Sequence, residues 1–280
     1  MKIYQRAVDI YKSEGIRGLF NGTKRNFRAN IRKIKKYIRS ISAKRRSDNC
    51  IDYTISGEKV TVPMDKPWQR DRFGLIHNER DLLEDIMSEL RHDDVVYDIG
   101  AYLGWHSLAA GSMAQEGHVI AFEPHPISYE RLSKVISQSP LKNIQIHNVG
   151  LSDSNSSVRI SRYPESSARI RTKGQNNKET IKTNVVIGDE FVSDNQLRFP
   201  NLVKIDVEGN ELSTIKGLTN TIKNEECRVI YCELHPDTAA EGQNIRKKIT
   251  FELKKAGFNI ERTLGENDKS IIKARKGSSS

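Results

Sequence analysis

The sequence predicts an α/β fold: a doubly wound, mostly parallel sheet carrying a basic helical N-terminal extension. Two observations predict it. From residue 95 onward, short apolar runs of strand length alternate with stretches whose apolar residues recur at helical spacing, the pattern of a parallel sheet covered by helices on both faces. Within that alternation, residues 95–123 read as an apolar strand, a glycine turn, a helix, a second strand and an acid at its end. This order sets a ligand's charged end on a helix N-terminus and its ribose beside a carboxylate, as α/β folds hold nucleotides and adenosyl groups.

Taken in order, residues 1–50 form the basic extension. The piece ending near Gly15 and Gly18 reads as a short helix and a turn. In residues 28–46, Ile31, Ile34, Tyr37, Ile38 and Ile41 recur at helical spacing among Arg32, Lys33, Lys35, Lys36 and Arg39, which predicts a basic amphipathic helix. It serves either as a peripheral anchor on anionic lipid or as a helix packing one stripe on its own domain. Residues 51–92 form a small lead-in: a hairpin over 51–62 turning at Ser56 and Gly57, then a helix over 79–90 with Leu82, Leu83, Ile86, Met87 and Leu90 on one face. The main domain, 93–275, follows as strand 95–99, helix 104–114, strand 118–123, helix 126–138 and strand 144–149. After a polar insertion come strand 201–206, helix 209–222, strand 228–234, helix 242–256 and strands near 258–263 and 269–274. Residues 162–178 read as a mobile polar loop and 276–280 as a disordered tail.

Charge narrows the function classes. Residues 1–46 hold fifteen Lys and Arg against Asp9 and Glu14, so they carry the basicity, and the other 234 residues sum to −3. A slightly acidic core and the few aromatics of residues 28–46 argue against nucleic acid. Cys50, Cys227 and Cys232 are too few and scattered for a disulfide framework, which fits a reducing compartment. No apolar run approaches bilayer length. The expectation is a cytoplasmic protein, with peripheral membrane contact through residues 1–46 if the leader is an anchor.

Asp98 ends the first main strand, and Gly100 and Gly104 follow at a spacing that lets the chain turn tightly and approach a ligand without a Cβ in the way. Glu123 closes the next strand, where an acid accepts hydrogen bonds from ribose hydroxyls. Asp153, after Asn148-Val149-Gly150, either meets an adenine amine or makes an Asx turn. At the other strand ends, Asp206 and Glu208 lie two apart, as do Glu233 and His235, and neighbouring parallel strands would face all four into one crevice. Asp206, Glu208 and Glu211 also sit where acids stabilise a helix N-terminus, Glu211 best of the three.

The segments DIGAYLGWHSL, FEPHP, NVGLSD, LVKIDVEGNELSTIKG and VIYCELHP, in that order over about residues 93–265, resemble the FkbM family of methyltransferases. The resemblance implies a Rossmann-like class I methyltransferase that uses S-adenosylmethionine for O-methylation of sugars or natural products. By matching motifs it assigns cofactor contacts to Asp98, Gly100, Gly104, Glu123 and Asp153. Tyr102 and Leu103 depart from the family's usual Asn-Ile or Asn-Val pair.

Methyl transfer from a sulfonium is an in-line displacement, so catalysis consists of aligning the acceptor and removing its proton. Asp206, Glu208 and His235 are the candidates for that work, His235 because its ordinary pKa lies near neutrality. Alternatively, Asp206, Glu233 and His235 hold a divalent cation that acidifies the acceptor. The expected acceptor is a small-molecule or lipid-linked saccharide. The rival expectation is a membrane-associated adenosyl-binding or assembly protein without turnover.

Overall fold

The computed structural model describes residues 42–45, 50–55, 58–63, 80–162, 180–264 and 270–277. A seven-stranded sheet forms the centre. Its strands in chain order are β4 (Val95–Ile99), β5 (His118–Phe122), β6 (Ile144–His147), β10 (Leu202–Ile205), β11 (Val229–Leu234), β12 (Phe258–Leu264) and β13 (Ser270–Lys276). Across the sheet they run β12-β13-β11-β10-β4-β5-β6. The five strands from β11 to β6 are parallel, and β13 runs antiparallel to both β11 and β12. The mostly parallel, doubly wound sheet expected from the sequence is therefore present. Every residue of β4, β10 and β11 is buried, as continuous apolar runs require when both faces are covered.

Alternate residues divide that burial between two layers. Tyr97, Ile99, Val203 and Ile205 pack with Leu212, Ile215, Ile245 and Ile249, from α5 (Glu211–Gly217) and α7 (Ile245–Lys255). Val96, Val119 and Tyr231 pack with Leu82 and Ile86 of α1 (Arg80–Glu89) and Ala110 of α2 (Trp105–Met113). Val135 of α3 (Pro126–Gln138) joins Leu83, Met87 and Leu108 on that same side. From β4 the chain winds outward through β5 to β6, then returns to β10 and winds the other way. The crevice between the carboxyl ends of β4 and β10 is the topological switch point, where such sheets bind ligands.

Several boundaries differ from the sequence pattern. Ser42–Arg45 is a strand, β1, paired antiparallel with β2 (Cys50–Ile55), whereas the helical spacing ran through residue 46. Backbone pairing with β2 overrides a weak local periodicity. Residues 28–41 of the expected helix lie outside the described residues. The hairpin is as expected, β2 pairing with β3 (Glu58–Pro63) from Cys50↔Pro63 to Ile55↔Glu58. The third main strand stops at His147. Residues 150–152 instead form β7, part of a small sheet in the order β7-β9-β8 with β8 (Ser156–Ser161) and β9 (Thr180–Ile187). The polar insertion thus holds a structured wall followed by a short helix, α4 (Gly188–Asp194). The loop expected at 162–178 lies, but for Arg162, outside the described residues; of the tail expected at 276–280, Lys276 instead ends β13, paired with Phe258, and residues 278–280 lie outside the described residues.

The expected helix 209–222 is two helices, α5 and α6 (Thr219–Lys223). They part after Gly217, which lies so close to the Ser152 carbonyl that any Cβ would collide with it. Likewise 242–256 begins as a 3-10 turn, Gly242–Asn244, ahead of α7.

Candidate active site

The rim of β4 and β5 is built mainly from backbone. After Ile99 the chain turns at Gly100, φ +83°, whose N–H and that of Ala101 both donate to the Phe122 carbonyl, at 2.9 and 3.0 Å. A Cβ on Gly100 would strike the Asp206 carbonyl, so glycine is obligatory there. Gly104, φ +84°, is the N-cap of α2 and packs against the Leu132 side chain. Between them Tyr102 takes φ +50°, a left-handed conformation unusual for a bulky residue. Its N–H donates to Glu123 Oε2 at 2.8 Å, while the His125 N–H donates to Glu123 Oε1 at 2.8 Å.

Glu123 is thus a buried carboxylate pinned through both oxygens by main-chain donors, with further lone pairs left for a ligand. Burial pushes its pKa up to about 7, against the opposing pull of those two N–H donors and of Lys204. His125, fully buried, caps α3: its Nδ1 accepts from the Ile127 N–H, and its Nε2–H donates to the Ser161 carbonyl at 2.9 Å. Asp98, also buried, accepts from the Ser107 hydroxyl at 2.6 Å. Asp153 is exposed at the mouth of a cavity of about 260 Å³ walled by Gly100, Phe122, Val149 and the β8–β9 strands. The inserted sheet closes the far side of this cavity, with the Thr183 hydroxyl donating to the Pro124 carbonyl.

The rim of β10 and β11 is built from side chains. Asp206 follows β10, its N–H bonded to the Ile99 carbonyl. Glu208 adopts φ +55°, a conformation that costs a non-glycine residue about 1–2 kcal/mol. Four carboxylates surround His235. Its Nδ1–H donates to Glu211 Oε1 at 2.7 Å, and its Nε2 lies 3.7 Å from Asp206 Oδ1, 3.8 Å from Glu233 Oε1 and 3.9 Å from Glu208 Oε2. The last three separations exceed hydrogen-bond length and leave a polar gap. Burial lowers the imidazole pKa, but the bond to Glu211 and the charges of Asp206, Glu211 and Glu208 outweigh it and hold the pKa at about 9. The ring is therefore a cation at neutral pH.

The expected convergence of Asp206, Glu208, Glu233 and His235 is present. Donor atoms of Asp206, Glu208 and His235 lie within 4.8 Å of one another, a spacing that suits a divalent cation once the imidazolium proton has left. Such a trio differs from the one read from sequence, in which Glu233 stood in place of Glu208.

Two residues escaped the sequence reading. Glu211 was assigned to the start of a helix; it is fully buried and bonds His235. Lys204, buried in β10, reaches both rims: its Nζ lies 3.3 Å from Asp98 Oδ1 and 3.5 Å from Asp206 Oδ2, and donates to the Gly100 carbonyl at 3.3 Å. A lysine inside the apolar run Leu202–Ile205 was the available signal, since a lysine is seldom fully buried without a partner. Trp105, the first residue of α2, is in the core.

Comparison with known proteins places these features in a family. Residues 98–260 match the methyltransferase FkbM domain. Hexuronic acid methyltransferase AglP of Haloferax volcanii is 29% identical over 201 residues, which cover 72% of this chain and 78% of that protein. Methyltransferase sdnD of Sordaria araneosa is 25% identical over 224 residues, 68% of this chain and 84% of its own. Among solved structures, methyltransferase FkbM of Methylobacillus flagellatus KT superposes with a TM-score of 0.49 at 15% identity, over 69% of this chain and 46% of that longer one. With the family domain covering more than half of the sequence, from Asp98 through both rims to β12, the chain belongs to the FkbM family of methyltransferases.

Proposed function

We propose that the protein methylates a hydroxyl of a saccharide, glycan or related metabolite. The observation that carries this reading is the gap between His235 Nε2 and the carboxylates of Asp206, Glu208 and Glu233. A hydroxyl seated there, once the ring is neutral, donates its hydrogen to Nε2. An anionic reacting group seated there would instead meet a surplus of negative charge, so the carboxylate of an acidic sugar would lie away from this gap. The hexuronic acid methyltransferase relative supports a sugar as the acceptor.

On the cofactor side, Glu123 would accept from ribose hydroxyls through its remaining lone pairs, and Asp153 from the adenine amine at the cavity mouth. Gly100 and Gly104 would let the backbone approach, with Asp98 near the amino acid end. The donor supplies an electrophilic methyl group on a sulfonium. The acidic surroundings of Asp98 and Asp206 suit that positive charge. Lys204, bonded to both rims, fixes the distance between them.

The remaining chemistry belongs to the acceptor side. Asp206 and Glu208, the more exposed carboxylates, accept from neighbouring hydroxyls and so align the acceptor, and neutral His235 removes the proton of the reacting hydroxyl as displacement proceeds. A positioned base of this kind contributes about 10²–10⁴-fold. A divalent cation at Asp206, Glu208 and His235 is a second reading that their spacing favours; loss of turnover in EDTA and its return with Mg²⁺ would select it. Among the described residues no helix is long and apolar enough to cross a membrane. With fifteen basic residues, the segment 1–46 suits an anionic surface, which would bring a lipid-linked saccharide within reach.

Mass spectrometry of cell-surface glycans and lipid-linked oligosaccharides tests this reading, comparing cells that carry the parent protein with cells that carry His235→Gln. The expected result is a saccharide one methylene heavier only with the parent. Identical glycan profiles, or a methyl ester in place of an ether, would overturn the hydroxyl assignment.

A further inference from the structure

We propose that Glu211 is the positioning residue of the acceptor site: it locks the His235 ring so that Nε2, and no other ring atom, faces the gap where the acceptor hydroxyl sits. This rests on the reading of His235 as the group that takes the acceptor's proton, and it adds a residue that the family resemblance did not assign.

The geometry carries it in three steps. Glu211 is held in place, since it has no exposed surface and its Oε1 accepts from the Gly209 N–H at 2.9 Å as well as from the His235 Nδ1–H at 2.7 Å. Both donors fall on one oxygen, so the carboxylate cannot swing away from the ring without giving up a backbone bond. Oε1 is already the acceptor of the Gly209 N–H, so the 2.7 Å contact places the hydrogen on Nδ1. When the ring is neutral its lone pair is then confined to Nε2, the nitrogen that lies 3.7–3.9 Å from Asp206, Glu208 and Glu233. The other neutral tautomer would put its lone pair against Glu211, where no acceptor can reach it.

The chain around Glu211 is shaped to make this contact. Gly209 takes φ +112° with its Cα packed so tightly on Thr238 that a Cβ would collide, and Glu208 is left-handed beside it. This turn brings the first residue of α5 against the residue that follows β11. Glu211 is therefore tied to His235 by the crossing of two segments 24 residues apart, a stronger arrangement than helix capping needs. Orienting partners of this kind, when removed, cost about 10–100-fold in activity.

The test reads the ring directly and needs no acceptor. The full chain, labelled with 15N-histidine and saturated with S-adenosylhomocysteine, is compared by NMR with Glu211→Gln and Glu211→Met, each checked by calorimetry for binding that product. The parent should show a far-downfield Nδ1 proton on His235. Glu211→Gln, a neutral acceptor, should move it upfield, and Glu211→Met, of similar length with no acceptor, should abolish it while product affinity stays within about twofold. A resonance unmoved in Glu211→Gln, or retained in Glu211→Met, overturns the proposal. If Glu211→Met does not fold, Glu211→Gln decides alone. Failure of the parent to bind the product would instead indict the cofactor reading, so the two failures are distinguishable. With the acceptor found by glycan comparison, turnover of Glu211→Gln should fall about 10–100-fold without a matching rise in the cofactor KM.

Discussion

The two rims of the switch-point crevice hold their carboxylates by opposite means. At the β4–β5 rim, Glu123 is fastened by main-chain N–H groups of Tyr102 and His125, and the shape of the site lies in the φ angles of Gly100, Tyr102 and Gly104. At the β10–β11 rim, Asp206, Glu208, Glu211 and Glu233 face one imidazole; Glu211 is bonded to that ring as well as to the Gly209 N–H, and the other three stand 3.7–3.9 Å from its Nε2. The contrast fits the tasks proposed for the two rims. A cofactor of fixed shape is met by a fixed backbone, whereas proton removal needs groups whose charge changes with pH and surroundings. Lys204, between Asp98 and Asp206, joins the two.

The largest expected effect divides the rims cleanly. His235→Gln should lower methyl transfer about 10²–10⁴-fold and leave affinity for S-adenosylhomocysteine within about twofold. In the parent, turnover should climb as pH rises toward about 9, because only the neutral ring accepts a proton. A rate that falls over that range would mean that His235 acts as a cation, and the division of labour proposed for the acceptor rim would fail. Stability should change in the opposite sense. The folded pKa is raised from 6.5, so this group's stabilisation is complete below about 6.5 and is lost as pH rises to about 9, visible as a declining Tm.

Next in size is the joint. Lys204→Met removes the buried cation and leaves Asp98 and Asp206 facing each other without it. Loss of one partner from a buried ion pair costs about 3–5 kcal/mol, readable in urea unfolding. Product affinity and turnover should both fall, because Lys204 touches both rims. If only one falls, the joint is no joint.

What the sequence made legible divides along the same line. The fold was readable because continuous apolar strands and amphipathic helices alternate from Val95 onward, and burial follows that pattern residue by residue. The turn after β4 was readable because its glycines announce a backbone task. Convergence of Asp206, Glu208 and His235 was readable from strand ends, since parallel neighbours share an edge. The partners of these residues were not. Glu211 occupies a position where helix capping explains an acid equally well, and only the crossing of α5 with the segment after β11 reveals its bond to His235. The small sheet β7-β9-β8 hid within a polar insertion, because β9 is mostly half-buried and β8 is buried only at its end, so neither shows the continuous apolar run of a covered strand.

A smaller effect bears on the carboxylate of the cofactor rim. Glu123 has its pKa raised by burial from 4.5 to about 7, so the folded protein holds this proton over a range where the unfolded chain has lost it. Its contribution to stability is therefore full below about 4.5 and diminishes as pH rises to about 7. Ribose hydroxyls donate, so they prefer the ionised form. Affinity for S-adenosylhomocysteine should accordingly increase several-fold between about pH 6 and about pH 8, by calorimetry. Glu123→Gln should bind about tenfold more weakly at the upper pH and show no such rise. A flat parent profile, with Glu123→Gln binding equally well, would remove Glu123 from the site.

The smallest effect tests whether the cofactor rim is truly a backbone construction. Tyr102 occupies φ +50°, where a bulky side chain costs about 1–2 kcal/mol, and what it gives Glu123 is an N–H that any residue except proline supplies. Its ring also packs, partly buried, on the cluster of Leu83, Met87 and Leu108, so removing it forfeits some apolar contact. Relief of strain and loss of packing oppose each other in Tyr102→Gly. The net change in stability should stay within about 1 kcal/mol, and product affinity within about twofold. At the opposite rim no side chain that touches His235 should be exchangeable on such terms. If Tyr102→Gly instead abolishes binding, the tyrosine side chain is itself a cofactor contact, and the contrast between a main-chain rim and a side-chain rim gives way to two rims of one kind.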